Sequence, residues 1–160
     1  VENATLTSTV AYNLAGNALD NVLTGNYAAN NLVGNEGNDT LNGSFGNDML
    51  TGGLGNDLFV FSNMLSSSNI DTISDFVSGT DRIGLSAGIF TKLLNDRDLS
   101  DNLVVTAYGA KAKDANDYLL YNGYTKALYY DADGYGTGAA VQIATLTNTA
   151  TLSANDFVVI

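Results

Sequence analysis

The chain has 160 residues, 45% of them hydrophobic, and a net charge of −11 from seventeen acids against six lysines and arginines. That apolar content is enough to bury a core, so disorder is excluded, and the charge disfavours nucleic acid or an anionic membrane surface as a partner. The absence of Cys, His, Pro and Trp excludes a disulfide framework, the usual zinc sites and any imidazole-based catalysis.

The chain opens VENATLTSTV, with neither an initiator Met nor a cleavable signal pattern, which leads us to expect a piece of a longer protein. No apolar run approaches about 18 residues, so no membrane insertion by a helix is expected. From residue 16 the sequence repeats every nine: GNALDNVLT, GNYAANNLV, GNEGNDTLN, GSFGNDMLT and GGLGNDLFV, ending at residue 60. Glycine holds place one, Asn or Asp place six, and a large apolar residue place eight. A period of nine fits neither a helix nor a hairpin strand alone. Each nonapeptide therefore predicts one short strand with a single inward side chain, Leu23, Leu32, Leu41, Leu50 or Phe59, and otherwise loop.

One such unit cannot bury its own leucine, which calls for a solenoid with two units per coil. The loops starting at Gly16, Gly34 and Gly52 then stack on one edge, and those at Gly25 and Gly43 on the other. Parallel strands lie about 4.8 Å apart, so place-six carboxylates of successive coils face one another and require a cation. Glycine-rich loops offer carbonyls, and aspartate offers hard anionic oxygen, a set suited to Ca²⁺. The candidate side-chain ligands are Asn21, Asn30, Asp39, Asp48 and Asp57. The loop positions are Gly25, Gly34, Glu36, Gly37, Gly43, Phe45, Gly46, Gly52, Gly53 and Gly55. Asp39 and Asp57 share an edge and are expected to hold the best ion, whereas Asn21 and Asn30 bring less charge.

After Phe61 the period is lost. IDTISDFVSGTDRIGLS predicts two short strands around a turn at Ser78-Gly79, and residues 87–100 predict one short helix with Ile89, Phe90, Leu93 and Leu94 on a face. LVVTA, DYLLY, ALYY, AVQIATL and DFVVI predict strands, with Asn122-Gly123 and DADGYGTG as hairpin turns. Asp131, Asp133 and Gly136 fit the first places of an EF-hand loop, but Gln142 stands where its bidentate Glu belongs, which favours the turn. Asp71, Asp75 and Asp81 are explained as well by turns as by a further ion. GLSAG at 84–88 matches a hydrolase nucleophile elbow in form only, because the chain has no histidine to activate the serine.

The nonapeptides resemble the G-G-x-G-x-D-x-U-x pattern of calcium-binding RTX repeats, which GGLGNDLFV fits at every defined place. DTISDFVSGTDRIGLS, LLYNGYTKALYYDADGYG and the final ANDFVVI resemble the C-terminal region of bacterial RTX exoproteins such as serralysin-type proteases, lipases and large adhesins. The expectation is an all-β chain. Its parallel β-roll occupies 1–61, with a degenerate first segment, and a β-rich cap and secretion-signal region carrying one short helix occupies 62–160.

The resemblance implies a secreted or cell-surface bacterial protein, exported by a type I ABC transporter that reads an uncleaved C-terminal signal, here Asp156, Phe157, Val158, Val159 and Ile160. The upstream domains of the same chain are its other implied partners. The reading is a calcium-dependent folding and export module without catalysis. Its rival is a module gripping polysaccharide or a surface, for which the tyrosines from Tyr118 to Tyr135 are the candidate platform, and sheet packing is the ordinary role of such tyrosines.

Overall fold

The computed structural model describes residues 3–94, 99–109, 111–148 and 151–160. Fourteen strands are found among them. In chain order they are β1 (Asn3–Thr5), β2 (Asn13–Ala15), β3 (Val22–Thr24), β4 (Asn31–Glu36), β5 (Thr40–Asn42), β6 (Met49–Leu54), β7 (Leu58–Phe61), β8 (Asp71–Ile73), β9 (Arg82–Leu85), β10 (Leu103–Thr106), β11 (Leu119–Asn122), β12 (Ala127–Tyr130), β13 (Val141–Leu146) and β14 (Phe157–Val159).

From β1 to β9 successive strands alternate between two sheets. One sheet runs β1-β3-β5-β7-β9-β14 and the other runs β10-β11-β12-β13-β8-β6-β4-β2. All pairings from β1 to β9 are parallel, and the register places Leu23 beside Leu41 beside Phe59 in one sheet and Leu32 beside Leu50 in the other. The five place-eight residues are completely buried, while the neighbouring Val22 and Met49 face solvent. This is the parallel β-roll expected from the nine-residue period. Two strands and two loops complete a turn, so each apolar row lies against the row of the facing sheet and no nonapeptide is stable alone.

The stack reaches further than the periodic segment in both directions. Upstream, Ala4 pairs with Leu23 and Leu14 with Leu32, so β1 and β2 form a coil without the glycine pattern. Downstream, Ile73 of β8 continues the Leu32–Leu50 row and Ile83 of β9 continues the Leu41–Phe59 row, both fully buried. Beyond them β13 joins β8 in parallel, β11, β12 and β13 form an antiparallel meander, and β10 pairs with β11 in parallel. A single apolar cluster runs from Leu23 to Phe157.

The strands predicted around Ser78-Gly79 are present, but β8 and β9 belong to different sheets and do not pair with each other. Their connection is one more loop of the roll. The predicted helix over 87–100 is replaced, among the described residues, by two 3-10 turns at Thr91–Leu93 and Leu99–Asp101, and residues 95–98 lie outside the described set. Phe90 and Leu93 are buried as that helical face required, with Phe90 edge-on to Tyr130 at 5.0 Å, but Leu94 is exposed. An apolar stretch this short, followed by Asn and Asp, anchors two side chains without sustaining the hydrogen-bonded turns of a helix.

Because Leu41 is completely buried in the apolar core, Leu41→Ala should destabilise the calcium-loaded protein by about 2–5 kcal/mol. Urea denaturation followed by circular dichroism measures it.

Candidate metal centre

On each edge of the roll the place-six side chains form a column. Asn21 N–H donates to Asp39 Oδ1 (2.7 Å), and Asp39 N–H donates to Asp57 Oδ1 (2.9 Å). On the opposite edge Asn30 N–H donates to Asp48 Oδ1 (2.7 Å). One oxygen of each aspartate thus stitches its coil to the coil before it. The second oxygen, Oδ2 of Asp39, Asp48 and Asp57, is buried and accepts no hydrogen bond. Three orphaned anionic oxygens in the interior are costly unless a cation takes them.

Around each orphan the chain leaves no room for a side chain. A Cβ on Gly34 would collide with Asp39 Oδ2 and approach the carbonyl of Gly52 in the next coil, and Cβ atoms on Gly43 and Gly52 would collide with Oδ2 of Asp48 and Asp57. At Gly34 a carboxylate and a carbonyl oxygen therefore converge. Place four carries the left-handed geometry, with φ of +110° at Gly37, +114° at Gly46 and +143° at Gly55. Place two is also left-handed, at Gly53 and, despite their side chains, at Asn35 and Ser44. The loops starting at 34, 43 and 52 thus share one backbone shape.

The loops starting at 16 and 25 are built differently. Asn21 Oδ1 accepts from Asn17 N–H, and Asn30 Oδ1 accepts from Asn26 N–H, both at 2.8 Å. Leu19 and Ala28 occupy place four there, without positive φ. An amide at place six closes its own loop by a hydrogen bond, whereas a carboxylate at place six leaves an oxygen open for an ion.

Among the described residues no positive group is a cause of the shifts at these acids. Burial, before any other cause, raises the pKa of Asp39, raises that of Asp48 and of Asp57 to about 6, and raises that of Asp81. Backbone amides act in the opposite direction and neighbouring carboxyls add to the rise at Asp57, but no lysine or arginine is among the causes. Arg82 and Lys92, the first two cations of the chain, do not neutralise this column. Among the described residues no three acidic side chains form a cage by themselves, so an ion here would have to draw much of its shell from other oxygens, and Ca²⁺ readily accepts backbone carbonyls.

The sequence from residue 24 to 59 matches the family profile of the RTX calcium-binding nonapeptide repeat, in four copies. Residues 24–59 are RTX calcium-binding repeats. Comparison with curated proteins finds no match. Among solved structures the chain is similar to the AlgE6R3 subunit of the Azotobacter vinelandii mannuronan C5-epimerase, with 28% identity and a TM-score of 0.59 over 92% of this chain and 77% of that one. The AlgE6R2 subunit of the same enzyme aligns at 23% identity and a TM-score of 0.48, covering 91% of each chain.

The RTX columns end in residues that the nonapeptide frame misses. Asp48 N–H donates to Asp71 Oδ1 and Asp57 N–H to Asp81 Oδ1, both at 3.1 Å, so Asp71 and Asp81 take the place-six role in the last coil. Their separations from Asp48 and Asp57 are 23 and 24 residues, where the repeats have 18. The signal was present all the same: Asp71 precedes the buried Ile73 by two residues and Asp81 precedes Ile83 by two, the same spacing that joins Asp39 to Leu41. Asp75 accepts from Gly52 N–H and Gly53 N–H and so clamps the last RTX loop.

The EF-hand-like segment is a turn. It lies between the paired strands β12 and β13, and Asp133 Oδ2 accepts from Gly138 N–H at 2.8 Å, which holds the Asp133 pKa below its ordinary value. Of the tyrosines, Tyr121 and Tyr130 are core residues, while Tyr124 and Tyr135 are exposed. Asp156 is fully buried. It accepts from Ser78 Oγ (2.7 Å), Gly79 N–H (2.8 Å) and Ser153 N–H (2.7 Å), and the following β14 lies in parallel on β9.

Raised carboxyl pKa values make the metal-free roll acid-stabilised. Protonation favours the folded form, an effect complete below the ordinary value near 3.8 and lost as pH rises through about 6 for Asp48 and Asp57. In EDTA the strand signal should therefore grow as pH is lowered from 8 to 5. With calcium present the dependence should reverse, because acid then competes with the ion.

Proposed function

We propose that this chain is a calcium-dependent folding and export module of a larger secreted or cell-surface protein, with no catalysis of its own. The buried, unpartnered Oδ2 atoms of Asp39, Asp48 and Asp57 carry the reading. These carboxylates, with loop carbonyls at Gly34, Glu36, Gly37, Gly43, Phe45, Gly46, Gly52, Gly53 and Gly55, would hold Ca²⁺ between coils. Asn21 and Asn30 close the first loops with their own amides. Bound calcium supplies the positive charge that the column lacks. Where calcium is scarce, repulsion and desolvation keep the coils apart and the chain remains transportable. At extracellular levels, against a Kd of about 10⁻⁴–10⁻³ M for modules of this kind, the coils close. A hundredfold excess over Kd stabilises the folded form by about 2.7 kcal/mol per site.

Residues 62–160 form the cap in this reading. They carry the last two strands of the roll, and Asp156 fastens the C-terminal strand to the 78–79 turn, in the same loop whose Asp81 ends the column of Asp39 and Asp57. Asp156 to Ile160 act as the type I export signal, read by the ABC transporter while the chain is unfolded and then folded into the sheet outside. Among the described residues no helix is long and apolar enough to cross a membrane.

The test has two parts. Calcium, followed by circular dichroism, should restore the strand signal lost in EDTA at pH 8, and magnesium should not, since it demands near-octahedral geometry and dehydrates reluctantly. A full strand signal in EDTA at pH 8 would refute calcium-coupled folding. Deleting residues 156–160 from the parent protein should trap it inside cells that carry its transporter, and undiminished secretion would refute the export role.

A second reading is supported by the similarity to a repeat subunit of an enzyme named for its action on mannuronan. In it the module also holds polysaccharide beside a catalytic domain. The exposed Tyr108 and Tyr124, with ring centroids 5.3 Å apart, offer a stacking surface beside Lys126. A glycan array run in millimolar calcium would show retention of uronate polymers if this holds, and no retention if it does not.

A further inference from the structure

At the far end of the larger sheet, β10 is held by a single neighbouring strand, β11. Its Val104 belongs, with Ala112 and Leu120, to a small apolar cluster separate from the one that runs through the roll. The chain has no cysteine, so a disulfide, the usual covalent staple outside the cell, is not available to hold this end.

Two tyrosines stand where such a staple would be placed. Tyr108 follows β10 and Tyr124 follows β11, and their ring centroids are 5.3 Å apart with the planes inclined by 38°. The backbone under both rings is fixed. Gly123 N–H donates to the Thr106 carbonyl at 2.7 Å, and Tyr124 N–H donates to Asn122 Oδ1 at 3.0 Å. Thr106 Oγ1 donates to the Gly109 carbonyl and closes the turn that carries Tyr108. Core packing does not account for the contact, because Tyr108 is 78% and Tyr124 72% exposed. Of the ring pairs Tyr27–Phe45, Phe59–Phe76, Phe90–Tyr130 and Tyr108–Tyr124, the last alone joins two phenols. Tyr121 and Tyr130 are buried and out of an oxidant's reach. The exposed Met49 and Met64 take an oxygen atom and form sulfoxides, which link nothing.

We propose that Tyr108 and Tyr124 are a modification site, coupled into an intramolecular dityrosine by a haem peroxidase with hydrogen peroxide as oxidant. Each phenol gives up one electron and its hydroxyl proton and becomes a phenoxyl radical, with the unpaired electron shared by the ring carbons beside the oxygen. One such carbon of each ring joins to form the new C–C bond. The hydrogen that each of these carbons carried passes to its own phenol oxygen, which restores both rings. The electrons and protons released reduce one peroxide to two waters. Because the rings are already held together, the coupling is unimolecular and outruns coupling between chains. The bond ties the end of β10 to the turn after β11 and closes a loop in the unfolded chain, so it stabilises the cap as a disulfide would. This holds whether or not the same rings also stack on a sugar.

The experiment oxidises the full chain in millimolar calcium, its fold checked by circular dichroism, with a haem peroxidase and hydrogen peroxide, followed by digestion and mass spectrometry. The expected product is monomeric, fluoresces as dityrosine, contains a cross-linked peptide joining residues 108 and 124, and unfolds at a higher urea concentration than the untreated protein. Tyr108→Phe and Tyr124→Phe keep both rings and should each abolish that peptide, and oxidation of the wild type in unfolding urea should lower its yield about tenfold or more. The proposal is overturned if the folded wild type gives no such peptide, if dityrosine joins other tyrosines or separate chains instead, or if the unfolded chain gives it in equal yield. An unchanged urea midpoint after cross-linking would overturn the stapling role.

Discussion

The structure depends on a conflict between strand spacing and charge. Parallel pairing brings each coil about 4.8 Å from the next, and the place-six aspartates sit where that spacing stacks them on one another and hides them from water. One oxygen of each is used well, accepting the backbone N–H that keeps two coils in register. The other is buried without a hydrogen-bond partner. A hydrophobic row of leucines pulls the coils together while the desolvated acids beside it oppose that approach, and in the reading proposed above calcium tips the balance.

Glycine makes this arrangement possible for two separate reasons. At place one of the loops starting at 34, 43 and 52 a side chain would collide with the carboxylate of its own loop. At place four the backbone turns into the left-handed region, which brings successive loops into close approach. The upstream loops, with Leu19 and Ala28 at place four and Asn at place six, are relieved of the charge problem and close through hydrogen bonds to their own amides. The repeat thus grades from a hydrogen-bonded end to an ion-dependent end. Folding is expected to be most sensitive to calcium next to the cap.

The cap is continuous with this gradient. Asp71 and Asp81 extend the place-six columns, Ile73 and Ile83 extend the apolar rows, and Asp156 ties the last strand to the same loop that ends one column. Order in the acidic loops and order at the C-terminus are therefore linked by direct hydrogen bonds.

The sequence by itself determined the roll, its inward residues and the acidic edges, because a nine-residue period with one large apolar residue admits a single way to bury that residue, and Asp39, Asp48 and Asp57 follow from the same phase. It also showed where the loops change character, since Asn21 and Asn30 stand in place of aspartate. What only the tertiary structure decided is where the stack stops. Asp71 and Asp81 are separated from their partners by insertions of irregular length, and a local period cannot report which strands become neighbours after an insertion. The stretch from Ile89 to Leu94 has helical spacing, yet its burial is set by contacts with Tyr130 and the distant sheet, not by the turn-to-turn hydrogen bonds that spacing measures. The two oxygens of one aspartate also have different fates, one bonded and one open. That difference belongs to the coil above and the coil below, residues 18 or more positions away, and is decided only when the chain is stacked.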